Sequence, residues 1–273
     1  MDVFASPKTI TSPEDCYFYH TMDIPGHGLV TGEWDLRGVE YQYLGGVKLS
    51  GKRVLELGAA SGFLTVYMER QGAEVVAYDL SEEHPWDVVP FAGTDYAGFE
   101  ERRREHIRKL NNGFWLNHNA NQLSAKLAHG TVYTVPDEIG QVDVATFSSI
   151  LLHLRDPFLA LRTSLRLVRE TVVVTEVYPA SEYHLVADVV DAPDQEGTEI
   201  RPLASVGDPK MTFMPQYWDG AYGDTWWHLS PAAVQRFIGV LGFETSEVTY
   251  HHAYARGTRT LLYTVVGQRT KPV

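Results

Sequence analysis

Residues 53–65, RVLELGAASGFLT, constrain the fold more than any other stretch of the chain. A short apolar run closes on Glu56-Leu57, the turn Gly58-Ala59-Ala60-Ser61-Gly62 follows, and an amphipathic segment begins at Phe63. A buried strand, a glycine-rich turn and a helix read from those three parts. The helix is expected over 63–71, with Phe63, Val66 and Tyr67 on one face, and Gly72 ends it. A second strand is expected over 74–78.

The alternation returns later. A strand is expected over 142–147. Asp156-Pro157 then reads as an N-cap with proline at the first helical position, followed by the apolar stripe Phe158, Leu161, Leu165 and Val168. Another strand is expected over 171–176. Ser230-Pro231 caps a helix that stops before Gly242, and two closing strands are expected over 243–250 and 258–266. Repeated βα units predict an α/β fold built on a doubly wound, mostly parallel sheet.

The rest is organised around that sheet. Residues 1–48 carry proline, glycine and aromatics without periodicity and read as an N-terminal arm or lid. The main domain is expected over 49–268, with irregular or helical insertions at about 85–128 and 178–229. The first insertion reads as two helices interrupted near residues 111–113, and its ERRRE run (101–105) reads as a solvated face. At 273 residues, 44% hydrophobic and 21% charged, the composition suits an ordinary globular protein. A net charge of −12 opposes a polyanionic partner such as nucleic acid. The lone Cys16 cannot form an internal disulfide. With neither a basic-then-apolar leader nor a membrane-length apolar run in view, the expectation is a cytoplasmic protein that does not engage a membrane. Oligomeric state is not legible.

In a doubly wound sheet the ligand sits beyond the carboxyl ends of the strands, over the first strand–helix turn. A dinucleotide site wants a middle glycine for a pyrophosphate to approach, and Ala60 stands there. Glu56 precedes the turn, which a pyrophosphate would not favour and a cation would. Asp79 closes the second strand, where a carboxylate accepts ribose hydroxyls; it can also cap the residues that follow. The pattern favours a positively charged nucleoside without phosphates.

This segment resembles the first motif of class I S-adenosylmethionine-dependent methyltransferases. The likeness extends through GTVYTVPDEIGQVDVATFSSILLHLRDP to WWHLSPAAVQRFIGVLGF, and so covers roughly residues 45–268. GVKLSGKRVLELGAASG with LLHLRDPFLAL is similar to the branch containing tRNA wobble-uridine carboxymethyltransferases and small-molecule methyltransferases. The resemblance implies a seven-stranded Rossmann-like sheet with a closing antiparallel strand and S-adenosyl-L-methionine as cofactor, with no metal. It implies that Gly58, Ala59, Ala60 and Gly62 pass the methionine moiety along backbone. Glu56 would fix the turn and face the ammonium, Asp79 would hold the ribose diol and Leu80 would cover the adenine. Thr131 and Val132 occupy the position where family members carry an acid for the adenine amine. Ser148 would offer its carbonyl to the ammonium.

Methyl transfer from a sulfonium needs an acceptor held in line, and a base if the acceptor is a hydroxyl or ammonium. Histidine suits that task, so His153 and His118 are the catalytic candidates, followed by His228 and His27. Trp34, Arg37, Trp115 and Trp226 are the candidates for the substrate side. An aromatic roof suits a small, partly apolar or aromatic metabolite with an O or N acceptor; the branch resemblance keeps tRNA as the alternative.

Overall fold

Valine- and leucine-rich runs become strands buried on both faces because helices cover both sides of the sheet. The structure, a computed structural model, describes residues 3–190, 207–216 and 224–272. The arm opens with a hairpin of β1 (Met22–Ile24) and β2 (Gly28–Val30), then β3 (Trp34–Asp35) and a short α1 (Glu40–Tyr43). The alternating core follows as β4 (Arg53–Leu57), α2 (Phe63–Arg70), β5 (Glu74–Asp79), α3 (Tyr96–Ala120), β6 (Lys126–His129) and β7 (Val142–Ser148). It continues as α4 (Pro157–Leu165), β8 (Val168–Val177) and α5 (Ala187–Val190). A hairpin of β9 (Met211–Phe213) and β10 (Trp227–Leu229) precedes α6 (Pro231–Val240), β11 (Thr245–Ala255) and β12 (Thr258–Gln268). Parts of the expected 178–229 insertion lie outside the described residues.

The main sheet runs β3-β11-β12-β8-β7-β4-β5-β6. The pairs β4–β5, β4–β7, β5–β6 and β7–β8 are parallel, and β12 is antiparallel to both β8 and β11. This is the mostly parallel, doubly wound sheet with a closing antiparallel strand. An eighth strand, β3, joins from the arm. One face buries Leu55, Leu57, Phe147 and Val174 under α4 and α6. The other buries Val54, Val75, Val144 and Val173 under Leu64 and Met68 of α2, with Leu36, Tyr43 and Leu44 of the arm. Residues 34–49 therefore supply core as well as cover. Phe4 bridges Ala128 and the Ala5 amide donates to the Leu127 carbonyl at 2.7 Å, which closes the exposed edge of β6.

The expected break at residues 111–113 is absent: α3 is one helix of 25 residues, about 37 Å long. The Asn-Asn-Gly run looks like a breaker, yet each residue answers a tertiary contact. Asn111 Nδ2 donates to the Leu80 carbonyl and Asn112 Nδ2 to that of Asp15. Gly113 lies so close to the arm that a Cβ would stand 2.6 Å from the Tyr17 carbonyl oxygen. No helix among the described residues is long and apolar enough to cross a membrane.

Candidate active site

The glycine turn is wound by three left-handed residues, Gly58 (φ 82°), Ala60 (φ 50°) and Gly62 (φ 78°). At Gly58 a Cβ would stand 2.4 Å from Ile150 Cγ2, so the turn after β4 and the one after β7 meet there. Ala60 takes a conformation that costs an L-residue about 1–2 kcal/mol, and Asp79 holds it in place. The Ala60 amide donates to Asp79 Oδ2 at 2.6 Å, and the Leu80 amide to Oδ1 at 2.7 Å. Each oxygen keeps a further lone pair. Burial pushes the Asp79 carboxyl above the ordinary range, although the two amides pull the other way. A partly buried carboxylate beside side-chain-free backbone fits a ribose diol next to a cationic group. Ser61 is gripped from outside the sheet: its Oγ accepts the Tyr19 amide at 3.3 Å and its carbonyl accepts Asn117 Nδ2 at 3.0 Å. Sequence reading passed over both partners.

Glu56 is buried in β4. It is 1% exposed, its carboxyl accepts the Thr65 hydroxyl of α2, and burial pushes it up to about 8. That bond ties β4 to α2. Ala59 is buried below the turn. Leu80 follows Asp79, partly exposed. β6 ends at His129, and the Gly130 amide donates to the Asp79 carbonyl at 3.0 Å, so Thr131 and Val132 stand next to the site. Thr131 Oγ1 accepts the Tyr133 amide, its carbonyl accepts the Tyr78 hydroxyl, and the Val132 carbonyl accepts Thr163 Oγ1. Ser148 ends β7, and the next residue, Ser149, has φ 54° with its Oγ 3.2 Å from the Tyr43 hydroxyl.

The histidines separate clearly. His153 ends the 3-10 turn Leu151–His153 just past β7, three residues after Ile150, on the ligand side of the sheet. Its Nδ1 lies 2.6 Å from the main-chain oxygen of Asp224. Glu176 Oε1 accepts the Leu151 amide at 2.8 Å and so anchors the same turn; burial pushes Glu176 up to about 8. His118 is carried away by the unbroken helix. Its Nε2 lies 3.0 Å from the carbonyl oxygen of Ala125, just before β6 begins, and its ring packs on Trp115. That is the amino edge of the strand, the wrong end for catalysis. His27 is exposed in the β1–β2 turn. His228 lies in the β9–β10 hairpin opposite Thr212, held below its ordinary pKa mainly by burial.

The four substrate-side candidates also divide. Trp34 is half-buried in β3, and its amide donates to the Tyr19 carbonyl at 3.0 Å. Trp226 is mostly buried near the 3-10 turn, with its indole donating to the Asp87 carbonyl at 2.9 Å. Arg37 is exposed and paired with Asp35 at 2.6 Å. Trp115, 1% exposed among Ala59, Ala77, Phe114 and Leu127, is core and not pocket wall.

A cluster the sequence reading missed stands between the arm and α3. The Tyr17 ring lies 4.3 Å from that of His106, and Trp86 is 6.2 Å beyond. Tyr17 donates its hydroxyl to Glu33, which also receives Arg256 Nη2 at 2.6 Å. Arg103 lies over the Trp86 ring and reaches Asp224 at 2.8 Å. Arg103, in the run read as solvated, and His106, just past that run, are three apart and share one helix face; that spacing was the available signal.

A glycine-flanked strand–helix turn, an acid at the end of the next strand and a histidine past β7 thus all lie at the carboxyl edge of the parallel strands. A family of methyltransferase domains matches residues 38–237. That span exceeds half the chain, and the protein belongs to the methyltransferase-domain family. No protein of curated function matches it. Among solved structures, the N-terminal domain of EvdMO1, crystallised in the presence of SAH and D-fucose, is 18% identical with TM-score 0.50, over 94% of this chain and 93% of that one. A protein from Bacillus halodurans C-125 is 11% identical with TM-score 0.50, over 85% and 99%. Likeness at these identities speaks for the fold.

Proposed function

We propose that the protein transfers the methyl group of S-adenosylmethionine to an oxygen or nitrogen atom of a small, partly apolar or aromatic metabolite. The observation that carries this reading is the Asp79 carboxylate bonded into the left-handed turn of residues 58–62, within a methyltransferase domain. Bound S-adenosylmethionine would supply a methyl group already activated by positive sulfur. Asp79 would accept the ribose hydroxyls through its remaining lone pairs, and the backbone of residues 58–62 would take the methionine portion.

The chain's own contribution to chemistry is then alignment, exclusion of water and proton removal. A carbonyl oxygen only accepts, so the contact with Asp224 places a proton on His153 Nδ1 and leaves the lone pair on Nε2. Nε2 would take the proton of the acceptor as the new bond forms. Tyr17 and Tyr19, on the arm segment bonded to Ser61, offer aromatic surface beside the turn. Arg103 and Arg256 are already paired with Asp224 and Glu33, and the net charge is −12, which supports a small acceptor over a polyanion. The D-fucose used with the EvdMO1 domain points the same way. Incubation with labelled S-adenosylmethionine and a panel of phenols, amines, carboxylates and bulk tRNA tests the reading. Label in a small molecule is expected; label in tRNA alone, or none anywhere together with no binding of S-adenosylhomocysteine, overturns it.

A further inference from the structure

His153 Nδ1 meets the main chain of a residue 71 positions away. Among the described residues the partner of Nδ1 is the main-chain oxygen of Asp224 at 2.6 Å, while the Asp224 carboxylate, at 3.9 Å, is too distant for a hydrogen bond. The place of that carbonyl depends in turn on what anchors Asp224. Its Oδ2 receives Arg103 Nη2 at 2.8 Å. Arg103 is itself clamped, its guanidinium 4.6 Å from the Trp86 ring centre and 5.1 Å from that of Phe99. Two residues past Asp224, the Trp226 amide donates to the Leu152 carbonyl at 2.8 Å, stitching the same segment to the turn that bears His153.

We infer that Arg103 and Asp224 are positioning residues for methyl transfer: their ion pair holds the Asp224 carbonyl on His153 Nδ1 and thereby presents Nε2 as the base. The inference rests on the proposed role of His153. In the step it serves, the acceptor X–H gives its proton to Nε2 as the X–CH3 bond forms and the S–CH3 bond breaks, with the bonding pair leaving on sulfur. The imidazolium keeps its Nδ1–H on the carbonyl and later returns its extra proton to solvent. α3 thus contributes to catalysis without reaching the substrate. A partly buried pair of this kind favours one arrangement of chain segments, which matters here because neither partner lies on the element that carries the base.

The test reads the ring nitrogens of His153 directly. In protein labelled with 15N-histidine, long-range proton–nitrogen correlation, assigned by loss of the signal in His153→Gln, is expected to show the Nδ1–H form in the full-length chain. Arg103→Ala should move His153 toward the Nε2–H form or a fast-exchanging mixture. Arg103→Lys, which can still meet the Asp224 carboxylate, should restore it. Asp224→Asn provides a second variant in case Arg103→Ala fails to fold. An Nδ1–H signal unchanged in both Arg103→Ala and Asp224→Asn overturns the inference. With an acceptor in hand, Arg103→Ala should lower kcat roughly tenfold, part of the range a positioned base supplies, with the KM for cofactor unchanged. Because the nitrogen readout needs no acceptor, the two claims fail separately. Intact methyl transfer in His153→Gln would sink the base assignment while leaving the tautomer result standing.

Discussion

Asp79 Oδ2 accepts the amide of Ala60 at 2.6 Å, joining the end of β5 to the one non-glycine among the left-handed residues of the turn after β4. The carboxylate shapes the turn before any ligand arrives, and it would meet the ribose with the lone pairs that remain. One residue would thus serve both the fold of the site and its occupancy.

Asp79→Ala should therefore weaken binding of S-adenosylhomocysteine, with about 1.5–3 kcal/mol at stake for each charge-assisted bond before compensation. Calorimetry reads this directly. Unchanged affinity in a folded variant would refute the assignment.

Gly58→Ala should destabilise the protein by on the order of 1–3 kcal/mol, because the new methyl would meet Ile150 Cγ2 at 2.4 Å and the backbone is left-handed. Ile150→Ala in the same chain should relieve the clash but not the backbone strain. Denaturant midpoints of the single and double variants separate the two contributions.

His118→Ala and His153→Ala form a paired test. His118 lies at the amino edge of β6 and its loss should leave kcat within about twofold, whereas loss of His153 should lower kcat by roughly 10² or more if it is the base. Equal losses in the two variants would contradict the placement.

Stability should form a plateau between about pH 4.5 and 6.5 and fall on both sides. His20 and His251 are buried and held down to about 4 and about 3 by desolvation, so below the ordinary histidine value of about 6.5 the unfolded chain gains protons that the folded one refuses, and stability falls with pH. Glu56 and Glu176 are pushed up to about 8, so above their ordinary 4.5 the unfolded chain releases protons that the folded one keeps, and stability falls as pH rises toward 8. The two trends oppose each other within the plateau. Denaturant midpoints across pH check this; replacing His20 and His251 by asparagine should flatten the acid limb, and an unchanged acid limb would count against it.

Hydrogen exchange should show S-adenosylhomocysteine protecting residues 58–62 together with 17–21 of the arm, because Tyr19 is bonded to Ser61. Residues 114–117 are already buried in α3 and should change little. Protection confined to residues 58–62 and 79 would show the arm to be indifferent to the ligand.

The strand, turn and helix around Gly58, the acid at Asp79 and the order of βα units were legible in the sequence because each is a local pattern: period, cap and turn residue lie within a few positions of one another. The bond of Glu56 to Thr65 was not legible, because local spacing does not say which way a buried side chain points. The Asn-Asn-Gly run misled because propensity yields to tertiary bonds at Leu80, Asp15 and Tyr17. Once α3 ran unbroken, its length sent His118 to the far edge and Trp115 into the core. The sequence by itself determined the glycine turn between the first parallel strand and its helix, and the acid at the end of the next strand. Only tertiary structure decided which histidine stands at the carboxyl edge of the sheet, since that depends on α3 running unbroken and on contacts such as Arg103 with Asp224, 121 residues apart in the chain.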